Sequence, residues 1–262
     1  MIKSKLKIPL NLEIAATGAG NIQWTPNTII DNNLTVSAPS FIPNNAATNL
    51  TVTGDVTVNN GGTLGGTSQS AGNWFGSLTI NSGGTYAATS GTTTITRATD
   101  AATNMAWDCD GTFTHNSGTV NFTDSSGFTY IDGACTGAGF NNATFDGGAT
   151  WIDQEVNNVP VSDTFTLNAG VFRQSSTSGD ITIVGDVVLN GGTMLGGVSH
   201  SGDMSFGSLT INSGGTYSAT SGTTTITSEN PSNWAINCDG TFTANSGTVN
   251  ITNPSTSNAD IN

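Results

Sequence analysis

Residues 75–96, FGSLTINSGGTYAATSGTTTIT, occur a second time in this chain with one change. The second copy is 206–227, and it differs only at Ser218, where the first copy has Ala87. Self-similarity over such a length is the signature of repeat architectures, in which each unit buries its apolar face against a neighbouring unit. The repeat therefore favours a fold built from stacked, similar elements.

A second matched pair follows the first one. Residues 109–123 read CDGTFTHNSGTVNFT, and residues 238–252 read CDGTFTANSGTVNIT. The offset between the copies falls from 131 residues for the first pair (75 to 206) to 129 for the second (109 to 238). The segment that joins the two matched stretches is therefore two residues shorter in the second copy than in the first.

The composition and the local pattern are those of an all-β protein. The 262 residues include 34 glycines, and only 9% of them are charged. Strand candidates recur every 7 to 12 residues, each closed by Gly, Asn-Ser-Gly or Asp-Gly. Inside them apolar residues alternate with Thr or Asn, so that Leu78 and Ile80 share one face and Thr79 lies on the other. No segment has a helical period, and we expect essentially no α-helix.

Two architectures accommodate short strands at this spacing: a parallel β-solenoid (β-helix) and a pair of β-sandwiches. The copied sequence favours the solenoid, because every coil meets a similar neighbour, whereas each sandwich strand is tailored to one position in its sheet. With roughly 20–30 residues in a coil, the chain predicts on the order of ten coils stacked about 4.8 Å apart.

The repeat also predicts how the chain is organised. We expect a cap or docking segment at 1–48, a first repeat unit at 49–127, a divergent solenoid segment at 128–179 and a second repeat unit at 180–262. The second unit has no evident cap, although an open coil exposes unpaired strand edges. This pattern predicts either a truncated chain or a partner that docks end to end.

The charge is unevenly distributed. The net charge is −13, yet Lys3, Lys5 and Lys7 all lie within the first seven residues. The acidic remainder has no basic stripe that could neutralise phosphates, which argues against nucleic-acid binding. We expect the three lysines to dock onto an acidic partner. The N-terminus lacks the uninterrupted apolar run of a secretion signal, and no stretch reaches transmembrane length, so membrane insertion is not expected.

The three cysteines do not form a recognisable disulfide framework. Cys109 and Cys238 occupy equivalent positions in the two copies, several coils apart and beyond disulfide reach. Cys135 has no obvious partner in the sequence. We therefore expect all three to be small, unpaired residues of the core.

The sequence provides little for metal or catalytic chemistry. Asp108-Cys109-Asp110-Gly111 lacks the spaced carboxylates and the terminal Glu of a Ca²⁺ loop, so we interpret it as a turn. His115 and His200 have no nearby Cys or His ligands. No metal site, cofactor or catalytic residue is predicted.

The divergent segment holds the best candidates for ligand contact. Aromatic and charged side chains together are typical of sugar-binding surfaces, and here they are Asp146, Trp151, Asp153, Glu155 and Arg173. A pair of carboxylates among these acids and Asp132 could also serve a polysaccharide hydrolase. The alternative is that Trp151 belongs to the core and the acids to turns. Recurring Thr-x-Thr strands would suit an ice-binding ladder, or simply the outward face of a strand.

The phrases SLTINSGGTYSATSGTTTIT and GTFTANSGTVNIT resemble the repeats of large β-solenoid surface proteins. Similar phrases occur in virion and tail-associated proteins of marine tailed phages, and in bacterial adhesins of the autotransporter or haemagglutinin type. The resemblance implies a non-enzymatic structural protein on the virion surface: a tail fibre, spike or capsid-attached fibre for assembly and host contact. Its partners would be other structural proteins, further copies (a trimer is one option) and a host-surface glycan. The alternative is a stalk or adhesive module of an exported bacterial adhesin at the cell surface.

Overall fold

The structure is a computed structural model of the 262-residue chain. It describes residues 6–15, 20–96, 105–125, 127–132, 135–137, 139–153, 161–174, 176–197, 199–228, 230–232, 234–252 and 260–262. None of these residues lies in a helix, which confirms the all-β prediction.

The described residues form 31 short strands, and the strands pair in parallel along each ladder. In chain order they are β1 Lys7–Ile8, β2 Leu12–Ala15, β3 Ile22–Trp24, β4 Thr28–Ile30, β5 Leu34–Ala38, β6 Ser40–Pro43, β7 Leu50–Val58, β8 Thr63–Gly65, β9 Asn73–Ile80, β10 Thr85–Ala87, β11 Thr92–Ile95, β12 Trp107–Cys109, β13 Thr112–Thr114, β14 Thr119–Phe122, β15 Phe128–Ile131, β16 Thr136–Gly137, β17 Phe140–Phe145, β18 Thr150–Asp153, β19 Val161–Leu167, β20 Val171–Gln174, β21 Ile181–Thr182, β22 Asp186–Leu189, β23 Thr193–Gly197, β24 Met204–Phe206, β25 Leu209–Ile211, β26 Thr216–Thr220, β27 Thr223–Ile226, β28 Trp234–Cys238, β29 Thr241–Thr243, β30 Thr248–Ile251 and β31 Asp260–Ile261.

The chain divides into two compact units. Unit 1 comprises Met1–Thr123 with Ala134–Asn141, and unit 2 comprises Asp124–Gly133 with Asn142–Asn262. Each unit is a parallel β-solenoid, and the fold has about ten turns in all, as the sequence predicted. Strands of the predicted N-terminal cap, such as β4 and β5, pair with β7 and so belong to the same ladders as the first repeat.

Three ladders of strands form the faces of each solenoid. In unit 1 one ladder is β3-β6-β8-β10-β13-β16, and the other two run through the long strands β7 and β9. In unit 2 the ladders are β15-β18-β20-β23-β26-β29, β19-β22-β25-β28-β31 and β21-β24-β27-β30. One coil therefore consists of three strands and their turns.

The register gives the length of each coil. In unit 1 Leu34 pairs with Val56 and Val56 with Leu78, which are steps of 22 residues. In unit 2 Thr164 pairs with Asp186, again a step of 22, and Leu209 pairs with Ile236, a step of 27. These steps agree with the coil length expected from the repeat.

The matched stretches stack directly on each other within each copy. Thr85 pairs with Thr112 in the first copy, and Thr216 pairs with Thr241 in the second. The two copies differ by two residues in the length of the segment between these strands, yet the paired strands have the equivalent register in both. Each long repeat thus encodes two successive coils.

Alternate side chains of each strand fill the interior of the coil. In unit 1 the rings of Tyr86 and Phe113 are stacked with centroids 5.9 Å apart, and both residues are buried. In unit 2 Phe206 and Tyr217 pack edge to face at 5.8 Å. Such pairs add to the hydrophobic effect of burying large aromatic area.

Polar side chains on the turns bond to their equivalents one coil away. In unit 1 Asn81 Nδ2 donates to Asn59 Oδ1 at 2.7 Å, and Asn59 Nδ2 donates to Ser37 Oγ at 3.1 Å. In unit 2 a longer ladder of four residues at steps of 22 has the same geometry: Asn212, Asn190, Asn168 and Asp146. Stacked coils thus satisfy polar groups through their neighbours as well as burying apolar ones.

The prediction of three unpaired cysteines is wrong. Cys109 forms a disulfide with Cys135, and their Cα atoms are 4.9 Å apart. The equivalent cysteines of the two copies are several coils apart, but Cys135 follows Cys109 by 26 residues, which is one coil. Thr136, next to Cys135, pairs with Thr112 and brings the second cysteine beside the first. Cys238 is free and half-buried.

Candidate functional site

The predicted docking lysines are described only in part. Lys7 lies on β1, where its Nζ forms an ion pair with Asp31 Oδ2 at 3.0 Å. The Lys7 side chain remains 63% exposed, so this pair contributes little to stability. Lys3 and Lys5 lie outside the described residues.

The structure describes the side chains of three predicted glycan-contact residues, Asp146, Trp151 and Arg173, and does not bring these three together on one surface. Trp151 is completely buried in unit 2, where its ring lies 5.3 Å from that of Phe145. It therefore belongs to the core, which was the alternative interpretation, and its indole cannot stack on a sugar in this structure. Arg173 is half-buried on β20, one coil after β18.

The acidic members of that set have other positions. Asp146 is exposed on a turn, but its Oδ1 accepts a hydrogen bond from Asn168 Nδ2 at 3.2 Å as the first member of the ladder in unit 2. Asp153 ends β18, Asp132 follows β15 and is half-buried, and Glu155 lies outside the described residues. The described side chains thus form no aromatic–carboxylate cluster.

The histidines and the Asp-Cys-Asp motif have local roles. His115 lies in the turn after β13, where its Nδ1 accepts a hydrogen bond from the Ser117 amide at 2.9 Å. The carbonyl of His200 accepts one from the Ser221 amide at 2.8 Å. Among the residues that the structure describes, no three His, Cys, Asp or Glu side chains are grouped as metal ligands would be. In the same part of the chain, no helix is long and apolar enough to cross a membrane.

Threonines do stack, in short rows. Thr63, Thr85, Thr112 and Thr136 are successive register partners in unit 1. A second row, Thr35, Thr57 and Thr79, ends where Asp108 takes the next place. Rows of three or four threonines are what parallel stacking of similar coils produces.

Two tyrosines are buried at equivalent places in the copies. Burial raises the pKa of Tyr86 to about 12, against the smaller opposing effect of hydrogen bonds from Thr93 and Asn73. Burial also raises the pKa of Tyr217, whose hydroxyl bonds to Thr224 at 2.6 Å. Both phenols are therefore neutral core groups at physiological pH.

A cavity of about 330 Å³ in unit 1 lies between residues 42–46 and 66–69. Its most polar buried side chain, Gln69, donates through Nε2 to the Thr48 carbonyl at 2.6 Å and to Asn73 Oδ1 at 2.8 Å. Because Gln69 is already hydrogen-bonded within the chain, the cavity offers a ligand mainly turn backbone and small side chains.

A second concave surface, more apolar than the first, lies on the coil β28–β30. A cavity of about 420 Å³ there, called the β28–β30 pocket below, is lined by Ile236, Cys238, Phe242, Val249, Ile251, Ile261 and Asn262. Val249 is 38% exposed and Ile261 65% exposed. Within the described residues, β29 pairs with β26 on one side only. A free strand edge beside apolar side chains can bind a further strand.

This pocket was not predicted from the sequence. The sequence does contain a signal for the pocket in the matched stretches 109–123 and 238–252. Four of the lining residues belong to the second stretch, and Ile236 lies two residues before it. The alignment of the copies pairs Cys238 with Cys109, but it does not show which residues cover each coil.

Comparison with known proteins identifies no relative: no family model, curated protein or solved structure matches this chain.

Proposed function

We propose that this chain is a non-enzymatic structural protein of a phage virion, such as a tail fibre, spike or capsid-attached fibre. The observation that carries the proposal is the stacking of similar coils through ladders such as Asn212, Asn190 and Asn168. This construction uses turn side chains to join one coil to the next, which suits a stalk. The resemblance of the repeats to virion β-solenoids and the acidic surface, with a net charge of −13, support the same function.

A second candidate is a stalk or adhesive module of an exported bacterial surface protein. The disulfide between Cys109 and Cys135 favours it, since disulfides persist mainly in oxidising compartments outside the cytosol. The environment of a released virion is oxidising as well, so the disulfide supports both extracellular settings.

The partners proposed for either setting are other structural proteins, further copies of the chain and a host-surface glycan. In the virion setting, the segment with Lys3, Lys5 and Lys7 docks onto an acidic partner. Deleting residues 1–20 should then abolish incorporation into particles while the purified variant keeps its β circular dichroism. Normal incorporation of the folded variant would contradict docking through this segment.

The experiment that tests the function is mass spectrometry on purified phage particles and on peptides shaved from intact host cells. A fixed stoichiometry in particles would support the virion protein, and recovery from the cell surface alone would support the adhesin. Release of reducing sugar from host polysaccharide would overturn both, provided that Asp146→Asn or Asp153→Asn abolishes it.

A further inference from the structure

The two copies of the repeat differ in what covers their second coil. In the first copy the coil β12–β14 carries Trp107, Cys109, Phe113, Val120 and Phe122, and all five side chains are at most 3% exposed. The equivalent residues of the coil β28–β30, at an offset of 129, are Ile236, Cys238, Phe242, Val249 and Ile251. These are five of the residues that line the β28–β30 pocket.

In the first copy the cover is the segment 135–140. Strand β16 adds to the edge of β13, with Thr136 beside Thr112 and Gly137 beside Phe113. The ring of Phe140 then lies 5.0 Å from Trp107, 5.8 Å from Phe113 and 6.1 Å from Phe122. Cys135 completes the contact through its disulfide with Cys109.

The second copy preserves the geometry that this cover requires. The sulfur of Cys109 lies 3.9 Å from the Gly111 carbonyl oxygen, and that of Cys238 lies 3.8 Å from the Gly240 carbonyl oxygen. The two sulfur atoms therefore lie at nearly the same distance from the equivalent turn carbonyl. Phe242, like Phe113, packs against the tyrosine of the preceding coil, with its centroid 5.2 Å from that of Tyr217.

We propose that the β28–β30 pocket is the docking site of a β-strand segment with the chemistry of residues 135–140, a cysteine followed five residues later by an aromatic residue. The segment adds in parallel to the edge of β29 that no described strand pairs with, its aromatic ring fills the pocket, and its cysteine forms a disulfide with Cys238. The proposal does not depend on whether a virion or a bacterial surface contains the chain.

The covalent step is thiol–disulfide exchange with a small disulfide such as oxidised glutathione. The Cys238 thiolate attacks the glutathione disulfide and releases one glutathione thiol. The thiolate of the incoming cysteine then displaces the second glutathione. One S–S bond breaks and one forms, the two protein thiols are oxidised, and their protons end on two molecules of reduced glutathione.

The test uses the full 262-residue chain and a synthetic peptide of residues 135–145, CTGAGFNNATF. In a fixed glutathione redox buffer, peptide mapping measures how much of the peptide is joined to Cys238 while Cys109–Cys135 stays intact. We expect the mixed disulfide to form with an equilibrium constant about tenfold above that of the same peptide carrying Phe140→Ser, since a ring transferred from water to the pocket is worth at least that factor.

A protein variant and a second measurement complete the test. Val249→Asp should reduce the advantage of the phenylalanine peptide to about onefold, because it places a charge in the pocket at a partly exposed position that tolerates it. Amides of β29 should exchange more slowly with deuterium when the phenylalanine peptide is bound.

Two results would overturn the proposal. Equal reaction of both peptides would mean that Cys238 is merely an accessible thiol. A dimer joined through Cys238 of two chains, formed without peptide and preferred over it, would mean that a second copy occupies the pocket. Neither result bears on whether the chain is found in phage particles, so the proposed function is judged separately.

Discussion

The coils β12–β14 and β28–β30 have nearly the same sequence and the same turns but different burial. Asn116 and Ser117 of the first coil have φ values of 47° and 58°, and Asn245 and Ser246 of the second have 47° and 64°. Yet Val120 is 3% exposed, whereas Val249 is 38% exposed. The local sequence thus determines the path of a coil, while the neighbouring coil determines how much that path contributes to stability.

The largest expected effect of this difference concerns the central phenylalanines. Phe113 is buried among the rings of Tyr86, Trp107 and Phe140, so Phe113→Ala should lower the free energy of unfolding by about 4 kcal/mol. Phe242 is half-buried, with Tyr217 as its aromatic neighbour among the described residues, so Phe242→Ala should cost about half as much or less. Urea denaturation of each variant measures the loss.

Hydrogen exchange locates the two losses. Phe113→Ala should speed exchange in β10 and β13, and Phe242→Ala in β26 and β29. Equal losses of stability from the two variants would contradict the view that the covering coil determines the energetic value of the residue.

The second prediction concerns the disulfide that only the first copy contains. Cys109→Ala combined with Cys135→Ala should destabilise the chain by about 3 kcal/mol, the value expected for a loop of this length. Cys238→Ala is the matched control and should change stability by no more than about 0.5 kcal/mol, since it removes a half-buried thiol without a cross-link. Adding a reductant to the unmodified chain should reproduce the loss. An effect of Cys238→Ala as large as that of the double variant would rule out the cross-link as its cause.

Much of the fold could be predicted because the determining information is local and repeated. The alternation of Leu78, Thr79 and Ile80 gives a strand with one buried face, and the repeat of residues 75–96 gives stacking of similar coils. The coil length followed from the spacing of the turns. These features need no knowledge of which coil lies beside which.

The incorrect predictions all required that knowledge. Pairing Cys109 with Cys135 requires knowing which residues of successive coils lie beside each other. Comparing equivalent positions in the two copies does not give that information. The acidic residues near Trp151 in the sequence indicate a surface position, but its register partners Thr129 and Phe172 are buried, and so is the indole. A single strand in an unmatched segment does not reveal which of its faces is inside.

The third prediction uses pH to compare the buried tyrosines. The pKa of Tyr86 is about 12 in the folded chain and about 10 when unfolded, so between these values only the unfolded chain releases the proton. Stability should therefore be unaffected below pH 10 and fall by about 2–3 kcal/mol as the pH rises through 12. Tyr86→Phe should remove this part of the alkaline loss, and Tyr217→Phe the equivalent part in the second copy. Urea midpoints measured from pH 8 to 12 give the slopes, and an unchanged slope in both variants would refute the assignment.

The smallest expected effect tests what the two copies share. Asn81 donates to Asn59 at 2.7 Å in unit 1, and Asn212 donates to Asn190 at 2.6 Å in unit 2. The first bond is partly buried and the second is exposed, and water replaces an exposed hydrogen bond at little cost. Asn81→Ala should thus cost about 1 kcal/mol and Asn212→Ala about half of that.

The neighbouring serines supply the control for this last comparison. Ser82 and Ser213 are exposed on the same turns, and replacing either with Ala should change stability by less than about 0.5 kcal/mol. If Asn212→Ala proved as costly as Asn81→Ala, the ladder would stabilise the coils by fixing the turn conformation, which is the same in both copies. If Asn81→Ala instead lowers the free energy of unfolding more than Asn212→Ala does, the contribution of the ladder depends on burial by the neighbouring coil, as it does for the phenylalanines.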